Sequence, residues 1–433
     1  MNKITFHQSN CKEETASAWL VSLLKFACET EYFKDLQDFK LPMIKKDYTI
    51  YQKLMTLISS IAVGCESTND INERLHPEKV AANILGMERF PDQSQINRLL
   101  QAMDEENIQQ LRQIHHQIFM KHSDSIPSAE EMVVDFDQTG LVANGKTYEC
   151  SSKGYFPKKK NQSGYQASAA FAGKNSETVA LFLDTGNTHC KDRVEDLLAV
   201  TLSKFRDHLL DGKLIIRIDS GYGSMETIEK LKSIPKLLFL VKGYSTRQSA
   251  NLAKGVELDA YTQADEGVWV YEFPSKDGLR VVLVQILTKH GELVYTHLIT
   301  NIPKERMSDV ELFHFYNQRQ TIESFFKMAK NVYGIKNLRT RKFYGIYAFL
   351  WLAFMTHNFI VNAKKLLFAE TTLVDTGMKV LVKHVGNIKA LVERSMEGIR
   401  VIIPTFTKLA KQLANALAEP KYVQISLFDR QRF

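Results

Sequence analysis

The chain has 433 residues, too many for one ordinary compact core, so we expect two or three domains, or one domain with a large insertion. Its 56 lysine and arginine residues exceed the 49 acidic residues, and the net charge of +7 suits a polyanionic partner without requiring one. The five cysteines are scattered and never form a C-x-x-C pair, which argues against a disulfide framework or a zinc ribbon and indicates a reducing cytoplasm.

No targeting segment is expected from the sequence. The first residues lack the basic start, apolar core and small-residue cleavage site of a signal peptide, so secretion is not expected. One apolar stretch, 344–361, approaches the length that crosses a bilayer, but Thr356, His357 and Asn358 interrupt it. We interpret this stretch as a buried core helix and expect no membrane partner.

Residues 1–125 have helical periodicity and predict an all-α DNA-binding domain. Two short helices, 77–85 and 92–101, flank a Gly-Met-Glu-Arg-Phe-Pro connection, and Asp92 is the predicted N-cap of the second. The polar face of that second helix carries side chains that can read base edges: Ser94, Gln95, Asn97 and Arg98. This pattern resembles a helix-turn-helix with a longer connection than usual, so Arg98 is a predicted DNA contact. A helical bundle with a solvated polar face is the alternative.

Residues 130–243 have the sequence pattern of a mixed α/β domain. The predicted elements are, in order, three strands, a helix, a strand, a helix and a strand: 133–139, 164–173, 178–186, 191–210, 213–219, 225–231 and 236–243. This is the order of a ribonuclease H-like core, of which 130–243 would be the first part.

The remaining residues extend this core. Residues 244–302 are strand-rich and predict a β-rich insertion, whereas 303–370 return to helical periodicity and predict the second part of the core. A C-terminal region, 371–433, follows. The expected fold class is therefore α/β: a ribonuclease H-like catalytic core with an inserted β-rich domain, preceded by an all-α N-terminal domain.

The segment GLVANGKT, residues 140–147, satisfies the phosphate-loop pattern G-x-x-x-x-G-K-[ST]. That loop functions only when a helix begins at the Lys-Thr pair, because the helix N-terminus binds the phosphates. The following residues have no helical periodicity and include Gly154 and Pro157. We interpret Asn144-Gly145 as a turn instead, and nucleotide binding stays an alternative.

Acidic residues stand at two places in predicted strands. Asp135 and Asp137 lie two apart in an otherwise apolar strand, so both carboxylates face the same side of the sheet. Asp219 ends the run KLIIRID directly before Ser-Gly-Tyr-Gly, and catalytic groups are often displayed at the C-terminal ends of buried strands. A carboxylate that caps the turn is the alternative for Asp219.

Another acid, Glu323, belongs to a predicted amphipathic helix. One stripe of this helix is polar and charged: Tyr316, Arg319, Glu323, Lys327 and Lys330. The opposite side is apolar and would anchor the helix in a core: Ile322, Phe325 and Ala329. The residues alone leave two interpretations open, a functional stripe or a solvated helix with ion pairs.

The spacing Y-x2-R-x3-E-x6-K is identical to the YREK signature of a large group of bacterial cut-and-paste insertion-sequence transposases. It is formed here by Tyr316, Arg319, Glu323 and Lys330. With the D-x-T phrase at 137–139 and with Asp219, the chain resembles the DDE transposases of that group over about 131–367. The DSGYG and KGYFP phrases are similar to those of the insertion-sequence family numbered thirteen-eighty.

The resemblance implies a metal site. Asp137, Asp219 and Glu323 would be the catalytic residues and would coordinate two divalent ions, Mg²⁺ with Mn²⁺ as a substitute. Asp137 is preferred to Asp135 because it supplies the D-x-T phrase, but Asp135 faces the same way.

The resemblance also implies DNA contacts. Arg319 and Lys330 would bind DNA phosphates, and Lys327 lies on the same stripe. Tyr316 would position a phosphate or stack near the cut end. Trp269, in the insertion, could stack on a flipped base, with core packing as the alternative. The basic cluster 158–160 would contact the DNA backbone.

The implied function is cut-and-paste transposition. The protein would bind the terminal inverted repeats of its element, cleave and transfer strands of double-stranded DNA, and act as a homodimer in the DNA complex. Its location would be the bacterial cytoplasm, at the nucleoid. A metal-dependent nuclease or a domesticated DNA-binding derivative with the same fold is the alternative.

Overall fold

The computed structural model describes residues 13–43, 47–156, 161–395 and 398–418. The chain forms two compact units: the first comprises Met1–His122 and Met328–Phe433, and the second comprises Ser123–Lys327. The residues that follow the predicted catalytic helix thus belong with the N-terminal residues rather than with the core. The basic cluster at 158–160 lies outside the described residues.

The described helices, in chain order, are α1 (Ala18–Glu29), α2 (Ile50–Ala62), α3 (Lys79–Ile84), α4 (Gln93–Gln101), α5 (Glu105–His122), α6 (Val194–Lys204), α7 (Arg206–Leu210), α8 (Met225–Ser233), α9 (Thr246–Ala253), α10 (Asp309–Asn317), α11 (Gln320–Val332), α12 (Phe343–Leu367), α13 (Met378–Lys383) and α14 (Lys408–Ala418). The described strands are β1 (Glu14–Thr15), β2 (Met132–Val142), β3 (Ser152–Lys153), β4 (Ser163–Ala172), β5 (Glu177–Thr185), β6 (Leu214–Ile218), β7 (Leu238–Lys242), β8 (Thr262–Asp265), β9 (Val268–Lys276), β10 (Leu279–Leu287), β11 (Leu293–Thr300), β12 (Ala390–Ser395) and β13 (Gly398–Ile402).

Helix α12 is the central helix of the first unit. It contacts α2, α4 and α5, and its residues 345–363 are buried. Trp19 of α1 stacks on Phe368, directly after α12, with 5.3 Å between ring centroids. Among the described residues, α12 is the one helix long and apolar enough to cross a membrane, and its burial agrees with the predicted core helix.

Helices α3 and α4 match the two short helices predicted around the Gly-Met-Glu-Arg-Phe-Pro connection. Asp92 caps α4 as predicted, since its Oδ1 accepts a hydrogen bond of 3.1 Å from the backbone N–H of Gln95. Helix α4 contacts α2 and α12, and its apolar side is buried: Ile96, Leu99 and Leu100. Arg98 is exposed, so the polar side of α4 is available to a partner.

The second unit contains the predicted ribonuclease H-like sheet. Five of its strands have the order β5-β4-β2-β6-β7. Strand β4 is antiparallel to both β5 and β2, whereas β6 is parallel to both β2 and β7. The crossover connections that parallel strands need are supplied here by the segments between β5 and β6 and between β6 and β7, both of which contain helices.

The predicted β-rich insertion continues this sheet rather than forming a layer of its own. Strand β11 pairs antiparallel with β7 from Leu240 to Lys242, and β10, β9 and β8 follow in order. Pairing with β11 satisfies backbone groups that would otherwise be unpaired at the edge of β7. Core and insertion share one hydrophobic cluster, which includes Ile215, Val282 and Leu312 of α10.

Candidate active site

Two acidic side chains lie next to each other where β6 ends. Strands β2 and β6 pair in parallel register, with Phe136 opposite Ile218. The next residues, Asp137 and Asp219, therefore stand side by side on neighbouring strands, roughly 5 Å apart between backbones. Asp137 is buried and Asp219 is half-buried. We call Asp137 and Asp219 the acidic pair.

Glycine at position 221 allows Asp219 its conformation. The backbone N–H of Gly221 donates a hydrogen bond of 3.0 Å to Oδ1 of Asp219. A Cβ atom at Gly221 would lie 3.2 Å from that oxygen and 3.0 Å from Sγ of Cys190. The Ser-Gly-Tyr-Gly sequence after β6 thus holds the carboxylate with a backbone donor that a larger residue would displace.

Asp135 has a different partner, although it faces the same way as Asp137. It lies opposite Arg217 in the β2–β6 register, and both its oxygens accept hydrogen bonds of 2.8 Å from Nε and Nη2 of Arg217. Arg217 also donates to the carbonyl of Phe315 and stacks over its ring at 4.7 Å. The buried Asp135–Arg217 pair therefore joins the two strands to the C-terminal part of α10.

Arg319 forms an ion pair with Asp137. Its Nη2 lies 3.1 Å from Oδ1 of Asp137 and donates a hydrogen bond of 2.9 Å to the carbonyl of Phe136. The residue is only 5% exposed. The sequence predicted that Arg319 binds a DNA phosphate. In this conformation its partner is instead the carboxylate of Asp137.

The pKa values reflect this environment. Burial raises the pKa of Asp137 to about 6, Arg319 opposes this increase, and Asp219 adds to it. Burial alone would lower the pKa of Arg319, but Asp137 and Asp219 raise it above its ordinary value. Burial also raises the pKa of the Tyr316 phenol. Asp137 is thus a carboxylate that needs a nearby cation to stay ionised at neutral pH.

The stripe predicted along one helix is divided between two. Helix α10 ends at Asn317 and α11 begins at Gln320, with a turn at 318–319 between them. The prediction of one continuous helix was wrong at this point, since the amides of Arg319 and Ile322 make hydrogen bonds of three-residue spacing and Arg319 pairs with Asp137. Glu323 is exposed in the first turn of α11. The apolar side behaves as predicted, since Ile322, Phe325 and Ala329 are buried.

The donor set suits a divalent metal only in part. Carboxylate oxygens are the ligands that Mg²⁺ prefers, and the acidic pair supplies two of them. Within the described residues, no group of three or more His, Cys, Asp or Glu side chains is assembled for a metal ion. The structure brings Asp137 and Asp219 together but does not bring Glu323 to them.

The other predicted DNA contacts occupy separate places. Tyr316 is half-buried near the end of α10, and Lys327 is exposed on α11. Lys330 is half-buried and belongs to the first unit. Trp269 is half-buried in β9, which is four strand positions from β6, or roughly 19 Å. The structure therefore does not place Trp269 beside the acidic pair.

The phosphate-loop pattern lacks its structural context. Gly140 lies within β2, and residues 143–151 contain no helix. No helix N-terminus is therefore available at Lys146 and Thr147 to bind a phosphate. This finding removes the physical basis for a nucleotide site in this segment.

Sequence reasoning assigned no role to three side chains near the acidic pair. Arg217 left a signal, because a charged residue inside the buried run KLIIRID requires a partner. Tyr222 is buried, and its hydroxyl has no hydrogen-bond partner among the described residues. Burial, reinforced by Asp219, raises the pKa of the Cys190 thiol to about 12, so this thiol is protonated at neutral pH. Tyr222 belongs to the DSGYG phrase, which did not indicate its burial, and Cys190 had no signal beyond its position in the sequence.

Comparison with known proteins identifies the family. The model for the transposase DDE domain, group 1, matches residues 43–422. Among solved structures, the chain is similar to a cryo-EM structure of the piggyBac transposase synaptic complex with hairpin DNA, at 13% identity and a TM-score of 0.49, over 86% of this chain and 79% of that chain. It is also similar to a crystal structure of a pre-cleavage Mos1 transpososome, at 12% identity and a TM-score of 0.17, over 46% of this chain and 60% of that chain.

None of the curated proteins matches the sequence. The resemblance to DDE transposases is confirmed by the family match, whereas the YREK group and the family numbered thirteen-eighty stay predictions. Because the family model spans most of the chain, the chain belongs to the transposases with a DDE domain of group 1, enzymes that cut and join DNA and generally use divalent metal ions.

Proposed function

We propose that the chain is a cut-and-paste transposase that cleaves and rejoins the ends of its own insertion sequence with Asp137, Asp219 and Glu323. The observation that carries this proposal is the acidic pair at neighbouring positions of the parallel strands β2 and β6. Two adjacent carboxylates repel each other unless a cation lies between them, so this arrangement favours binding of a metal ion.

We propose Mg²⁺ as the natural ion, two per site, with Mn²⁺ as a substitute. Bound ions of this kind activate a water or a 3′-hydroxyl and stabilise the leaving oxygen. The acidic pair would hold the metal, and Glu323 would complete the site after α11 approaches. Asp135 is the weaker candidate, because Arg217 already engages both of its oxygens.

The chain's own cations would orient the DNA. Lys327 follows Glu323 by one helical turn, and both are exposed on α11, so a phosphate near Glu323 is within reach of Lys327. Arg319, Lys330 and Tyr316 are proposed as further contacts near the cut end. Arg98, on the exposed side of α4, is proposed to contact the terminal inverted repeat.

An insertion sequence has two ends, whereas each chain carries one acidic pair, so we propose a homodimer that holds both ends on double-stranded DNA. The scattered cysteines and the basic net charge support a bacterial cytoplasmic protein at the nucleoid. The alternative of a nuclease without strand transfer predicts cleavage of the same ends without joined products.

Cleavage of a labelled DNA fragment that carries the element's own terminal repeat tests the proposal. Asp137→Asn, Asp219→Asn and Glu323→Gln should each reduce Mg²⁺-dependent cleavage by more than about 100-fold and leave DNA binding within about twofold, because ligand loss exceeds the effect of losing an outer partner. The matched control is Asp184→Asn: Asp184 also lies near the end of a strand of this sheet, but it is paired with Arg193.

The control should cleave at nearly the wild-type rate. Cleavage that survives Asp219→Asn would refute the proposed site. Loss of cleavage in Asp184→Asn as well, in a protein that still folds and binds DNA, would show that the assay does not discriminate the acidic pair from other strand-end carboxylates.

A further inference from the structure

We propose that Arg319 is an internal cation that occupies the acidic pair when no metal is bound, so that metal binding and release of Arg319 are one coupled exchange. This inference rests on the proposed function, because it takes the acidic pair as the metal site. It assigns Arg319 a role before DNA arrives, which differs from the phosphate contact predicted from the sequence.

The contacts of Arg319 define the position it fills. Its guanidinium contacts Oδ1 of Asp137 at 3.1 Å, and Nη2 also donates to the carbonyl of Phe136. Asp219 stands beside Asp137 on the neighbouring strand. The positive charge of Arg319 therefore lies at the pair of carboxylates that the proposed metal would use.

A guanidinium and a divalent ion cannot share this position. An ion coordinated by the same oxygen of Asp137 would lie close to the positive charge of Arg319, and like charges repel strongly where water is excluded. Arg319 is 5% exposed, so solvent does not screen this repulsion. One cation must leave when the other binds.

The attachment of Arg319 is incomplete, which makes release feasible. Its Nε is buried and has no hydrogen-bond partner among the described residues. The residue lies in the turn between α10 and α11 rather than inside a helix. A buried N–H without a partner destabilises the state in which Arg319 contacts Asp137. Withdrawal of Arg319 would remove this penalty, which lowers the free-energy cost of its release.

The same turn directly precedes the helix that carries Glu323. In the structure, Arg319 N–H bonds to the carbonyl of Tyr316 and Ile322 N–H bonds to the carbonyl of Arg319, both with three-residue spacing. If residues 318–319 joined α10 and α11 into one helix, Arg319 and Glu323 would lie four residues apart on one face. Release of Arg319 and approach of Glu323 would then follow from one change in the backbone.

Binding of Mn²⁺ to the full-length, DNA-free protein, measured by the loss of the free-ion signal in electron paramagnetic resonance, tests this exchange. Arg319→Gln should bind Mn²⁺ at least about tenfold more tightly than wild type, a difference of about 1.4 kcal/mol. The matched control is Arg280→Gln, because Arg280 is equally buried in the same unit and is paired with Glu272.

The control should bind Mn²⁺ as wild type does, and Asp219→Asn should weaken binding in both the wild-type and the Arg319→Gln backgrounds. An unchanged or weaker affinity of Arg319→Gln, with binding still dependent on Asp219, would overturn the exchange but leave the proposed site intact. Binding that is indifferent to Asp219→Asn would instead overturn the proposed metal site, and the exchange with it.

A second measurement uses the wild-type protein and so does not depend on folding of a variant. The rate of hydrogen–deuterium exchange in the segment that joins α10 to α11 should change when Mg²⁺ is added at saturating concentration. The reason is that the amides of Arg319 and Ile322 would replace their present i→i−3 hydrogen bonds with the i→i−4 hydrogen bonds of an α-helix. Identical exchange with and without Mg²⁺ would contradict the proposal.

Discussion

The Asp135–Arg217 pair should stabilise the second unit without taking part in cleavage. Removal of one member of a buried ion pair costs about 3–5 kcal/mol, because the remaining charge has no partner. Arg217→Met also deprives the carbonyl of Phe315 of its donor, which adds about 1–3 kcal/mol. We therefore expect Arg217→Met to reduce the free energy of unfolding by about 4–8 kcal/mol.

The double variant Asp135→Leu with Arg217→Met separates these contributions. It leaves no buried charge, so only the Phe315 contribution of about 1–3 kcal/mol should remain, and the double variant should be about 3–5 kcal/mol more stable than Arg217→Met alone. Urea denaturation followed by circular dichroism and by tryptophan fluorescence measures these values, and cleavage of terminal-repeat DNA should persist in the double variant.

Two results would refute this reasoning. A cost below about 1 kcal/mol for Arg217→Met would mean that the pair is not buried as a unit. A double variant that folds as well as predicted but no longer cleaves DNA would mean that Asp135 is a metal ligand in its own right, and that the assignment of Asp137 is incomplete.

Two further predictions concern other parts of the molecule. Burial lowers the pKa of Lys204 to about 7 in the folded chain. Between pH 7 and the ordinary pKa of lysine, the unfolded chain therefore binds more protons than the folded chain. The free energy of unfolding should rise by up to about 2 kcal/mol from pH 7 to 9. This slope should be absent in Lys204→Met, and an equal slope in both proteins would contradict it. Arg98→Ala should weaken binding of the terminal repeat and, if Arg98 contacts a base, should cost about 1–3 kcal/mol for the cognate sequence but little for random DNA. Equal affinities of Arg98→Ala and wild type at several salt concentrations would exclude α4 from the DNA interface.

The order of the strands along the chain was predictable because it depends on local sequence patterns. Most core strands are apolar runs rich in β-branched or aromatic residues that end at glycine or polar residues, whereas β4 is rich in alanine; β10 has the bounds that the run LRVVLVQIL predicts. The continuity of the insertion with the core was not predictable, because pairing of β11 with β7 joins residues about sixty positions apart. Which strand covers an open edge depends on tertiary packing that no single segment specifies.

The sequence predicted the three acids as candidates, but it did not specify their partners. Period-2 alternation placed Asp135 and Asp137 on one face and left the choice between them open. The structure supports Asp137 because the parallel register pairs Asp135 with Arg217 and places Asp219 next to Asp137. Register depends on both strands together, so the sequence of β2 alone could not supply it.

The helical stripe shows why a correct pattern can still give an incorrect shape. Helical spacing says only which residues share a face if the segment forms one helix, and by that criterion Arg319 and Glu323 share a face. In the folded chain, the buried carboxylate of Asp137 forms an ion pair with Arg319, and the amides of Arg319 and Ile322 make hydrogen bonds of three-residue spacing in place of helical ones. A cation that binds Asp137 more strongly than Arg319 does would remove the reason for the turn. The turn between α10 and α11 is therefore best understood as a consequence of the charge at the acidic pair, and the geometry of Glu323 should depend on which cation is present there.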